Sequence, residues 1–190
     1  MAYEHCYRYF QENYNTECED IKDLMTLHLF AYLANWGMLR NSFLMYKDYK
    51  FNRPVVDYLC EVQKKISTGE SVDVIAIKDE IVRLYMYSSD GCQNTYINNS
   101  VTENINHVSN TLVTKIIMGT LGLTPAYDRF FCQTAKELGI VQRFGINSYR
   151  QLEQFVEANQ TVIDRLSAEM NYPPMKIVDM YFWQRANSLN

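Results

Sequence analysis

Apolar residues recur along this chain at helical spacing almost from end to end. Tyr3, Tyr7, Phe10 and Tyr14 form an aromatic stripe on a first helix. That stripe reads either as a face docked on the core or as a groove for a partner. Thr16 to Asp20 is polar and acidic, as suits a helix start. From Ile21 to Trp36 the apolar pattern is Leu24, Leu27, Ala31, Leu33 and Ala34, with His28 inside it. Gly37 punctuates, and Arg53-Pro54 breaks the chain again. Val55 to Ile66 is the next helix, closed by Ser67-Thr68-Gly69. Asp73 to Tyr87 follows, with Ile77, Ile81, Leu84 and Tyr85 on one face. The polar run 88–100 is the longest in the chain and reads as a surface loop.

The stretch from His107 to Phe131 organises the rest. Val108, Leu112, Val113, Ile116, Ile117, Met118 and Leu121 are apolar on more than one face, which places this helix inside a globule. Gly122 makes a break, and Thr124-Pro125 reads as N-cap and first residue of a second helix ended by Gly139. Ser148 and Gln151 form a capping-box pattern. They open one long amphipathic helix through Leu152, Phe155, Val162, Ile163 and Leu166 to about Met170. Pro173-Pro174 starts the last helix. Period-two runs with hairpin turns are missing, and so is a fixed-period repeat. The expected fold is all-α, a single domain over 1–190 of roughly eight helices in non-repeat packing.

Composition narrows the class. The chain has 190 residues, 47% of them hydrophobic and 21% charged, the profile of a globular protein. Fifteen tyrosines suit core edges and interfaces, because the ring buries while the hydroxyl seeks a partner. A net charge of −4 disfavours nucleic acid, leaving a local basic patch as the way it would bind. The N-terminus lacks the apolar core of a signal peptide, and no run approaches a membrane span. A cytoplasmic protein without membrane association is expected. Its five scattered cysteines, with no CxxC pair, read as reduced structural thiols.

Nucleotide loops, HExxH, zinc-spaced Cys/His clusters and GxSxG are all missing, so neither cofactor nor metal is expected. His28 has no second ligand at helical spacing. Tyr46, Lys47, Tyr49, Lys50, Phe51 and Arg53 interleave aromatics with bases, the pattern of a surface that tracks phosphates and stacks bases. The same pattern also suits a helix end, where cations meet the dipole and rings pack back on the core.

Lys115 poses the chemical question, since a lysine among apolar neighbours must snorkel, find a partner or lose its proton. The surrounding segment, T-K-I-I-M-G-T-L-G-L-T-P-A-Y-D-R-F-F, resembles a signature of small all-helical bacterial proteins. It also resembles, faintly, the helix–hairpin–helix DNA glycosylases, in which a lysine on a buried helix is the amine nucleophile and a later aspartate assists. That resemblance puts Lys115 and Asp128 in these two catalytic roles, with DNA repair as the setting. Arg40, Lys47, Lys50 and Arg53 would then rim a basic cleft, with Arg129 beside Asp128. A structural reading is equally coherent: Lys115 and Asp128 form an ion pair fixing two central helices, and Gly119 and Gly122 allow close helix approach. Two functions therefore stand open. One is a helical protein acting through a protein-partner or self-association surface; the other is a glycosylase/lyase-like enzyme. A small-molecule pocket among the helices, lined by Tyr side chains and Trp36, is a weaker third.

Overall fold

The computed structural model describes residues 2–40, 42–91 and 107–188, and among these the architecture is all-α, without strands. The chain divides into two compact units, Met1–Leu121 and Gly122–Asn190. The division falls at the Gly122 break. The polar run 88–100 lies elsewhere: its first residues, 88–91, continue a helix, and 92–100 lie outside the described residues.

The first unit contains α1 (Ala2–Asn13), α2 (Glu19–Asn35), α3 (Arg53–Ser67), α4 (Val74–Gly91) and α5 (Asn110–Thr120). Two 3-10 turns, Phe43–Tyr46 and Tyr49–Asn52, link α2 to α3. Helix α5 packs against α1, α2 and α4, and every residue from Leu112 to Thr120 is buried. Its start is set by Ser109, whose hydroxyl accepts from the Leu112 N–H. A helix buried all round must satisfy its own polar side chains. Thr114 and Thr120 do so by donating to the carbonyls of Asn110 and Ile116, each four residues back.

Close approach of α2 to α5 depends on Gly119. A Cβ there would lie 2.5 Å from Tyr32 Cε1, so the tyrosine ring occupies the space a side chain would need. One turn away on each helix, Lys115 Nζ sits 4.4 Å from the centroid of the Trp36 ring. Advancing from Tyr32 to Trp36 on α2 corresponds to retreating from Gly119 to Lys115 on α5, so the two helices run antiparallel. Gly119 thus permits a close approach, but to α2 through the Tyr32 ring and not, as the sequence suggests, to the helix that follows Asp128.

The aromatic stripe of α1 is mainly a core face. Tyr3, Cys6 and Phe10 are buried, while Tyr7 and Tyr14 are half-buried. A second internal cluster gathers Phe43, Phe51 and Tyr85. Buried Asn52 holds it together: its Oδ1 accepts from the Tyr85 hydroxyl at 2.7 Å, and its Nδ2 donates to the Tyr49 carbonyl at 3.0 Å.

The second unit contains α6 (Arg129–Glu137), α7 (Ile146–Ala158), α8 (Gln160–Met170) and α9 (Pro174–Ser188). Helix α9 packs on α6 and α8. Phe131 stacks on Phe182, and Thr134 donates from its hydroxyl to the Phe182 carbonyl.

Several boundaries differ from the sequence expectation. Thr124 and Pro125 are buried and precede the helix; α6 starts at Arg129, capped by Asp128. Ser148 is not a cap but lies within α7, and its hydroxyl pairs with that of Tyr127 at 2.6 Å. Gln151 accepts from the Val141 N–H instead of completing a capping box. The long amphipathic helix breaks at Asn159 into α7 and α8. In each case a tertiary hydrogen bond or a local turn outcompetes the pattern read from sequence.

Candidate functional site

Lys115 is 2% exposed, so its ammonium is shielded from solvent. The Trp36 indole face lies over it, where the ring quadrupole attracts a cation. Asp128 belongs to the other unit and has a defined local task. Its Oδ1 accepts from the N–H groups of Phe130 and Phe131 at 3.0 and 3.1 Å, capping α6. Arg129 is exposed, with its guanidinium 4.5 Å from the Phe130 ring centroid.

A largely buried charge pair on α9 is one the sequence did not single out. Lys176 Nζ lies 2.7 Å from Asp179 Oδ2, and both side chains are largely buried. Asp179 Oδ1 also accepts from the Ala126 N–H at 3.1 Å, which ties the segment before α6 to α9. The signal was the i,i+3 spacing of Lys176 and Asp179 on an apolar helix.

The interleaved basic and aromatic stretch is occupied by acids. Arg53 donates from Nη2 to Glu19 Oε2 at 2.7 Å and from Nε to Asp57 Oδ1 at 2.8 Å. Tyr49 donates to Asp23 Oδ2 at 2.7 Å, which pushes its pKa up to about 12, and Lys50 lies 3.8 Å from Asp23 Oδ1. Lys47 rests over the Phe51 ring. Tyr46 and Arg40 are exposed. Acids from α2 and α3 thus neutralise much of the positive charge that a phosphate backbone would meet.

Among the clefts formed by the described residues, two are on the first unit. One, of about 170 Å³, is lined by Glu4, His5, Arg8, Tyr9, Glu12 and His28. His28 is half-buried and stacks on Tyr9, with ring centroids 4.2 Å apart. Burial, and then the neighbouring His5, lowers its pKa. The other, of about 300 Å³, includes Lys22, Asp57, Cys60 and Lys64. Burial pushes the Cys60 thiol up to about 11, the opposite of nucleophile activation. Lys115 lines neither cleft. Among the described residues no group of three His, Cys, Asp or Glu side chains is placed to hold a metal ion. Also among them, no helix is long and apolar enough to cross a membrane.

The clearest surface feature is on α2. This helix buries Met25, Thr26, Leu29, Tyr32 and Leu33. Of the apolar pattern read along this helix, Leu33 is buried, whereas Leu24, Leu27 and Ala31 point to solvent, with Leu24 45% and Leu27 42% exposed. Ala34 and Phe30 flank them, half-buried. Helix α2 therefore carries apolar side chains on two opposite faces, and among the described residues one of them is buried. The spacing 24, 27, 31, 34 is the three-four-three interval of a helix–helix seam. No family model, curated protein or solved structure matches this chain.

Proposed function

We propose that this chain is a protein-binding module, and that it acts through the outer face of α2 by receiving an amphipathic helix from a protein partner. The observation that carries this reading is the exposed Leu24–Leu27–Ala31 seam on a helix whose opposite face is already buried. Large side chains at seam spacing gain about 1.5–3 kcal/mol each when fully removed from water. They are otherwise a solubility liability, so such a face favours an occupant. Exposed Asp20 borders the seam at one end and defines the chemistry of the matching helix: apolar at a and d, basic where it meets that end.

Lyase chemistry draws little support from the site. A Schiff-base nucleophile must reach a substrate carbonyl, whereas Lys115 is 2% exposed beneath an indole.

The test is site-specific photocrosslinking in cells, with a benzophenone side chain at Leu24 or Leu27 and, as control, at exposed Glu153. A discrete protein adduct is expected from the two α2 sites and not from the control. Equal labelling from all three sites, or none from α2, would reject the reading.

A further inference from the structure

We draw no further inference here: the strongest candidate, the cleft on the first unit where Lys22 of α2 and Lys64 of α3 converge on Glu17, carries nothing, because both lysines are already paired there with Glu17, Glu19 and Glu61 and nothing in the structure points to a ligand that would displace those acids.

Discussion

A single methyl group at Gly119 should destabilise this protein, although alanine ordinarily stabilises a helix interior by about 1 kcal/mol over glycine. The new Cβ would lie 2.5 Å from Tyr32 Cε1, with Cδ1 and Cζ both at 3.0 Å. The ring has little room to withdraw. Tyr32 is 1% exposed, and its edges meet the rings of Tyr3 and Trp36 at centroid distances of 6.4 and 6.5 Å. Overpacking of this kind costs about 1–3 kcal/mol, and a trapped ring belongs in the upper half of that range. After the helix-propensity gain is subtracted, Gly119→Ala should lose about 1–2 kcal/mol. For a chain of this size that is a fall in Tm of roughly 3–6 °C. Urea denaturation of the wild type, Gly119→Ala, Tyr32→Leu and the double variant closes a thermodynamic cycle. With the ring gone, the same methyl should be neutral or stabilising, giving a coupling of at least about 1 kcal/mol. A Tm that rises for Gly119→Ala in the wild-type background would refute the packing of α2 on α5 through this glycine.

Four other outcomes test the remaining assignments. Asp128→Ala should cost at least about 1 kcal/mol, the value of the N-cap it makes, and Asp128→Ser should recover that part of the loss; no recovery by serine would reject the capping role. Asp179→Ala should cost about 3–5 kcal/mol, because it strips the carboxylate from buried Lys176 and the acceptor from the Ala126 N–H; urea midpoints within about 1 kcal/mol of wild type would reject that role. The lowered pKa of His28 means that the folded state favours the neutral ring, so stability present above the ordinary value of 6.5 should fall as pH drops below it. Replacement by Phe, which keeps the stack on Tyr9, should flatten that slope, and an unchanged slope would show that other groups produce it. Borohydride on abasic DNA should trap no covalent adduct through Lys115, and an adduct lost specifically in Lys115→Met would restore the lyase reading.

Much of the helical framework was legible in the chain because its signals are local. Pro54 near the start of α3, Gly69 after its end, Gly139 after α6 and Pro174 opening α9 act through backbone geometry that needs no partner. The apolar run of α5 announced a buried helix because no orientation of it could be left in water. Where a local signal had a tertiary competitor, it lost. Ser148 and Gln151 had the spacing of a capping box but serve Tyr127 and the Val141 N–H, and Thr124-Pro125 yielded the cap of α6 to Asp128.

Helix α2 shows the boundary most plainly. Sequence alone determined that residues from about Ile21 to Trp36 form an apolar helix, since spacing and composition suffice for that. It could not determine which face is inside, because Leu24, Leu27 and Ala31 are as apolar as Met25, Leu29 and Leu33. That choice was made by Gly119, which admits the Tyr32 ring, and by Lys115, which draws Trp36 across it. Both lie more than 75 positions along the chain, so helical periodicity carries no trace of them. Periodicity reports how apolar each face is, whereas burial goes to the face whose shape fits a neighbour that only the folded chain supplies.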